Sequence, residues 1–508
     1  MAIVPARSVR AARGRTHGAA VGGADKLALM ATRARTGPAG ILTRQELLQL
    51  LAGMATIAMA AAVGLATVKL GSFQHQLKAL VIVVAGVAVV VAALRPDRGL
   101  VILIALIPFE FGFYGTNSDQ VLLYALTLVM AWRIRASAVP TWVGAGGLAL
   151  VLGSFVASIG AHDHSLALEG AVNWLAAVLA LFVALSVLRR RREASRRMID
   201  IFTGAAAIVV VFAFLQKAGV YAIVGAPLEG GAPSSFFAYY TVYAGYVAMA
   251  ATLATGEILI ALERRQAGRA SVYGLALVFL LTGVAVSTSR GGLVALGAGW
   301  LMLLTLNLRR GPVLARAVAI LAIFLAAGYI ATPASTIATI EHRIALSNGT
   351  LGGDRERFAL QSAGARALSE FPFGLGYGNF SFYLSADVHS ADIHKAFFHA
   401  HETPVQIGLD AGWLGLAGFL TLFAMPIVLV FARRGRGLDT VRASAFAASL
   451  GGLMAQGLYD YLFYDLAFLV FFVAMVWGAV HSLDLDAHPA PAGEVTPRSP
   501  AARGAAPR

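Results

Sequence analysis

The sequence predicts an all-α polytopic membrane protein of about 12–14 transmembrane helices, with one large external loop containing short helices. Three observations lead there. Of 508 residues, 58% are hydrophobic and only 13% are charged, and the mean hydropathy is +0.74, more apolar surface than a water-soluble core absorbs. The apolar residues come in blocks of about 15 to 22, the length a helix needs to cross roughly 30 Å of hydrocarbon. The basic residues cluster in short connections between those blocks. The net charge of +14 therefore reads as retention on the cytoplasmic side and not as a nucleic-acid surface. With no cysteine in the chain, disulfides, thiolate nucleophiles and Cys-ligated zinc are excluded.

The elements follow in order. Residues 1–46, rich in Arg, Ala and Gly, lack an apolar signal-peptide region and read as a basic, disordered cytoplasmic tail. Spans are predicted at 47–66, 80–94, 99–109, 121–132, 142–159, 168–188, 199–215, 237–262, 272–286, 292–306 and 313–331, and then at 412–431, 441–458 and 463–480. With the N-terminus inside, the connections 95–98, 133–135, 189–197, 263–269, 309–316 and 433–442 fall on the cytoplasmic side, and each is basic. This topology puts 31 of the 40 Lys and Arg inside, which sets the orientation. The expected organisation is eleven spans over 47–331, an external loop at 332–411, three spans over 412–482 and a disordered cytoplasmic tail at 483–508. The expected location is the cytoplasmic (inner) membrane, multi-pass, with both termini cytoplasmic. No internal repeat of fixed period is visible.

The loop at 332–411 is long for a connection, and such loops are usually functional. It holds His342, His389, His394, His399 and His401, with Arg343, Arg355, Arg357, Arg366 and Lys395. Three groups of residues carry chemistry. Ser287-Thr-Ser289-Arg290-Gly-Gly lies at the outer end between two spans, where an arginine at the margin of hydrocarbon offers a planar fork of donors that fits phosphate oxygens; the bland alternative is a snorkelling anchor. Residues 353–371 read as a helix stopped by Pro372, with Phe358, Leu368 and Phe371 as an apolar stripe and Arg355 and Arg366 sharing a face about three turns apart. It also reads simply as an amphipathic helix on lipid headgroups. Third, Thr403 is a good N-cap and Pro404 fits the first helical position, so His401 stands just before a helix, posed as a general base near neutral pH. The alternative is a solvated loop histidine. A metal site of His389, His394, His399 and His401 with Asp387 or Asp392 matches no standard zinc spacing. His162-Asp163-His164, Asp460 and Asp465 read as solvated turns or helix boundaries, and Tyr239, Tyr240, Tyr243 and Tyr246 as an aromatic belt.

In this order, the three groups resemble the O-antigen ligase and polymerase superfamily of bacterial envelope glycan enzymes. The matching residues are Ser287-x-Ser289-Arg290-Gly291, Gly352-x-x-Arg355, Pro372-x-Gly374-x-Gly376 with Gly378-Asn-Phe380, and His401-Glu402 followed nine residues later by Gly412-x-x-Gly415. The resemblance covers roughly residues 200–480. It implies a metal-independent glycosyltransferase without cofactors, active on the outer face of the membrane. The donor it implies is a glycan on a polyprenyl (undecaprenyl) diphosphate and the acceptor a hydroxyl on glycan or lipid, with membrane lipids as surroundings and no nucleic acid. On that reading Arg290 and Arg355 neutralise the diphosphate and His401 takes the acceptor proton, with Ser289, Glu402, His399 and Gly376 in support. Glu402 stands where the family usually has Asn. A further family arginine before the eighth span is absent from 229–236, and Arg366 is its candidate substitute.

Polymerisation of polysaccharide, ligation to a lipid and transfer to protein hydroxyls share this donor and base, so the sequence leaves exopolysaccharide synthesis and protein O-glycosylation both open. A lipid-linked glycan flippase would also have many spans, but has no need of so long an external loop and would carry more charge inside its helices.

Overall fold

The computed structural model describes residues 86–487, except 221–227, 229–230, 346–351, 388–398, 434–436 and scattered positions before 116 and at 190 and 333. The predicted span at 47–66, the N-terminal tail, most of the span at 80–94 and residues 488–508 lie outside the described residues, while residues 483–487, expected in a disordered tail, are helical because they continue the last long helix. The fold is all-α and polytopic. The chain forms α1 (Pro96–Leu106), a two-residue antiparallel pair β1 (Gly112–Phe113) and β2 (Thr116–Asn117), and α2 (Ser118–Met130). Long helices follow: α3 (Thr141–Ile159), α4 (His164–Leu188), α5 (Ala194–Lys217), α6 (Tyr240–Glu263), α7 (Ala267–Val286), α8 (Arg290–Leu306) and α9 (Gly311–Ala331). Next come α10 (Ala334–Ala345), α11 (Gly352–Glu370) and α12 (Phe380–Asp387), and finally α13 (Thr403–Ala432), α14 (Leu438–Gly457) and α15 (Leu466–Ala487). Each predicted span from the third to the fourteenth coincides with a helix.

Among the described residues, 7 helices are long and apolar enough to cross a membrane: α3, α4, α5, α6, α7, α13 and α15. At 11 residues, α1 rises only about 16 Å and does not span roughly 30 Å by itself. The centre of the bundle is α6, packed on α14 and α15, and nearly every residue of α6 and α14 is buried. Their alternation of Ala, Gly, Ser and Thr lets backbones approach, since apolar attraction between helices is weak in lipid and close packing must substitute. The crossing of α3 with α13 shows how close: a Cβ on Gly153 would sit 2.3 Å from the Ala411 carbonyl oxygen.

Burial corrects one expectation. Tyr243 and Tyr246 are fully buried, Tyr246 stacking on Phe471 at 4.4 Å and the Tyr243 hydroxyl donating to the Gly283 carbonyl at 3.2 Å. They pack the core because α6 is the central helix and has no lipid-facing side for them.

Polar contacts sort the connections to two ends. At one end Arg191 meets Asp97 (3.5 Å) and Arg189 meets Asp484 (3.1 Å), while Arg189 also donates to the Ser137 carbonyl. There Arg269 meets Asp200 and Glu257, Arg316 meets Glu263, and Arg310 and Arg433 donate to the carbonyls of Gly437 and Leu483. All six basic connections share this end. At the other end Asp163 N–H donates to Asn379 at 2.6 Å, Gln456 to the Thr241 carbonyl at 2.9 Å and Thr403 to the Asp460 carbonyl at 3.0 Å. The loops carrying Arg290, His401 and α11 collect here.

Candidate active site

The α7–α8 hairpin is built by its serines. Thr288 takes a left-handed backbone (φ 51°), the Ser289 N–H donates to the Ser287 hydroxyl at 3.2 Å, and Ser289 caps α8 by accepting from the Gly292 N–H at 3.1 Å. The cap makes Arg290 the first residue of α8. Its guanidinium carbon lies 5.6 Å from the centre of the Tyr459 ring.

A second arginine reaches the same ring. Along α11, Arg357, Gln361, Gly364 and Leu368 recur at helical spacing. Gln361 donates to the His401 carbonyl at 3.3 Å, Gly364 leaves room for Ala400 and Val405, and Leu368 lies on Gly408. That face presses α11 onto the start of α13 and sets the Arg357 guanidinium 4.9 Å from the Tyr459 ring centre. Arg355 and Arg366 are exposed on the opposite side of the helix, Arg366 beside the Tyr383 hydroxyl. The expected apolar stripe is divided in the same way. Leu368 is buried against Gly408, while Phe358 is 59% exposed, because Leu368 shares the packed face with Gln361 and Gly364 and Phe358 does not.

His401 stands in the left-handed region (φ 52°), which costs a non-glycine residue about 1–2 kcal/mol. Neighbouring contacts hold it. Ala400 N–H donates to Gln406 Oε1 at 2.7 Å, and Gln406 donates to Asp410 Oδ1 at 2.7 Å. The Tyr461 hydroxyl donates to Asp410 Oδ2 at 3.0 Å, tying the chain beside His401 to the chain beside Asp460. The His401 Nδ1 lies 3.2 Å from Asp460 Oδ1, so with Asp460 as acceptor Nδ1 carries the proton and Nε2 keeps its lone pair. Thr403 is not the cap: Glu402 occupies that position with no side-chain bond to the helix and Pro404 follows within the first turn. The Thr403 hydroxyl is used instead on the Asp460 carbonyl. Burial raises the Glu402 carboxyl above its usual range.

The His399 ring lies 4.2 Å from that of His401 and stacks on Tyr464 at 5.5 Å. Its pKa falls to about 3, through burial first and then the neighbouring His401 charge, so it is neutral at physiological pH.

The glycine motifs interlock. At Gly412 (φ 66°, ψ −177°) α13 breaks, and the loop at 372–378 takes up the freed groups: Trp413 N–H donates to the Pro372 carbonyl at 3.0 Å, and the Leu409 carbonyl accepts from Leu375 (2.6 Å) and Gly376 (3.1 Å). Gly376 (φ 84°) packs on Ala167 and Ala161. The break thereby fixes how α11 and its following loop meet the His401 segment.

Of the residues singled out in the sequence, the structure brings Ser289, Arg290, His399 and His401 to one place. Arg355 and Arg366 point away from it, and His389 and His394 lie outside the described residues. Arg357, Tyr459 and Asp460 join it. Arg357 is detectable in the sequence as the residue in helical register with Gly364 and Leu368. Asp460, 59 positions from His401, carries no local signal.

The architecture is that of a polytopic membrane protein, with two arginines and an imidazole gathered at one end of the bundle. A model of the O-Antigen ligase family matches residues 275–420, from within α7 to within α13, so this stretch of the chain is similar to the O-antigen ligase/polymerase superfamily. The matched segment includes Arg290, Arg357 and His401. No curated protein matches the chain.

Proposed function

We propose that the chain is a glycosyltransferase that moves glycan from a polyprenyl-diphosphate carrier to an acceptor hydroxyl, with the end bearing His401 on the outer face of the cytoplasmic membrane and the basic end inside. The observation that supports this most is the meeting of Arg290 and Arg357 at one tyrosine ring, next in sequence to the aspartate that holds His401. Two guanidiniums there suit a diphosphate, whose negative charge grows as it leaves.

The acceptor oxygen attacks the anomeric carbon of the donor sugar, its proton passes to His401 Nε2, and the bond from that carbon to the diphosphate oxygen breaks with its electron pair going to the carrier. Arg290 and Arg357 stabilise the departing charge. Asp460 holds the imidazole in the tautomer that accepts and stabilises the imidazolium that forms. The second cation is assigned to Arg357 because its side of α11 faces His401. Metal takes no part in this scheme, as the two arginines supply the positive charge. The sorting of all six basic connections to the opposite end supports the orientation. Polymerase, ligase and protein-glycosylating activities all fit this chemistry.

Reconstituted full-length protein supplied with lipid-linked oligosaccharide and separate candidate acceptors tests the reading. His401→Ala is expected to slow transfer about 10²–10⁴-fold. Transfer by His401→Ala at the wild-type rate would overturn the mechanism. Long chains on the carrier identify a polymerase, transfer to a second lipid a ligase, and modified protein the third activity.

A further inference from the structure

Asp410 is buried two residues before the break in α13, and among the described residues neither lysine nor arginine pairs with it. Burying a carboxylate without a cation is costly, and packing alone would be better served by an apolar residue. Its oxygens are met by two donors from different parts of the chain. One turn earlier on the same helix, Gln406 has its Oε1 committed to the Ala400 N–H at 2.7 Å, which turns its amide nitrogen to Asp410 Oδ1 at 2.7 Å. The Tyr461 hydroxyl donates to Asp410 Oδ2 at 3.0 Å. Tyr461 also donates its own N–H to Asp460 Oδ1 at 3.0 Å, the same oxygen that lies 3.2 Å from His401 Nδ1. With both neighbours donating, both Asp410 oxygens accept, which a carboxylate supplies and an amide does not.

Two lines of hydrogen bonds therefore run from Asp410 to the two halves of the His401–Asp460 pair. One passes through Gln406 and the Ala400 N–H to the backbone just before His401, whose left-handed conformation (φ 52°) has to be held in place. The other passes through Tyr461 to the Asp460 oxygen that faces the imidazole. We propose that Asp410 is a positioning residue for the transfer reaction, one that fixes the His401 imidazole and the Asp460 carboxylate against each other without touching substrate. This role rests on His401 being the base of that reaction.

The test uses full-length protein reconstituted with lipid-linked oligosaccharide and acceptor, and compares Asp410→Asn and Tyr461→Phe in the wild-type and His401→Ala backgrounds. Asn keeps the size but turns an N–H toward one of the two donors, and Phe keeps the ring but removes the bond that leads to Asp460. Each single change is expected to lower kcat about 10- to 100-fold with KM for the lipid-linked donor unchanged. In the His401→Ala background neither is expected to slow the residual transfer further, because no imidazole is left to position. A role in folding alone would lower the rate by the same factor in both backgrounds, and that result would overturn the proposal. A wild-type kcat in Tyr461→Phe, with His401→Ala slowed as expected, would overturn it while leaving the base in place. A wild-type rate in His401→Ala would remove the base and this proposal together. If Asp410→Asn fails to fold, Tyr461→Phe carries the same comparison alone.

Discussion

The two ends of the bundle hold their arginines in opposite ways. At the basic end Arg442, 4% exposed, meets Glu257, which is fully buried, at 2.6 Å and Asp439 at 2.9 Å, and Arg269 adds a second cation to the same Glu257. At the other end Arg357 makes no ion pair among the described residues and lies over an aromatic ring. A cation matched by fixed carboxylates has its charge spent inside the protein and fastens helices together. One resting against a ring keeps its charge available for an anion that arrives. The first arrangement fastens helices, and the second is the one the proposed transfer reaction uses, although both employ the same residue type.

That contrast can be broken at several points. The largest stability effect is expected at the basic end, where Arg442→Ala takes the nearer of two cations from the buried Glu257 carboxylate, leaving Arg269, and costs about 3 kcal/mol. Thermal unfolding in detergent measures it, with the double change Arg442→Met/Glu257→Gln losing less. A smaller effect is expected from Gly412→Ala. The new Cβ would lie 2.6 Å from the Phe373 carbonyl carbon in a left-handed backbone, a cost of about 1–3 kcal/mol, and because the break positions α11, transfer should slow along with the loss of stability.

A third test uses pH. The folded protein holds His399 at about 3 against an unperturbed value near 6.5. Above pH 6.5 both states are neutral and stability is complete. Below it the unfolded chain takes a proton that the folded site refuses, so stability falls progressively until pH nears 3, by about 1 kcal/mol per pH unit. Unfolding midpoints at pH 7.5 and 5.5 should therefore separate in the wild type and draw together in His399→Phe. An identical separation in the variant would place the titrating group elsewhere. Smallest is Ser289→Ala, expected to cost about 1 kcal/mol through the lost cap and read by the same unfolding measurement.

The long apolar blocks made the spans legible, and the charge of the short connections showed which of them belong together. Those are properties of composition over many residues, which local sequence records well. The site was legible only where a motif builds its own geometry, as in the Ser289 cap ahead of Arg290 or the glycine at the α13 break. Asp460 was not, because it meets His401 only once α14 has folded back across the bundle. Choosing between Arg355 and Arg357 required knowing that Gly364 is where α11 touches its neighbour. Tyr243 and Tyr246 look like interface residues until α6 is known to be central. Side-chain identity did not decide these cases; the packing of helices distant in sequence did.

The most direct test of the contrast is the transfer rate of full-length Arg357→Ala in a reconstituted assay with lipid-linked oligosaccharide, alongside its unfolding midpoint and the same pair of readings for Arg355→Ala. The account predicts a rate loss of about 10²–10³-fold for Arg357→Ala with the midpoint unchanged, and a far smaller loss for Arg355→Ala. A wild-type rate in Arg357→Ala, or a loss that merely follows a fallen midpoint, would contradict it.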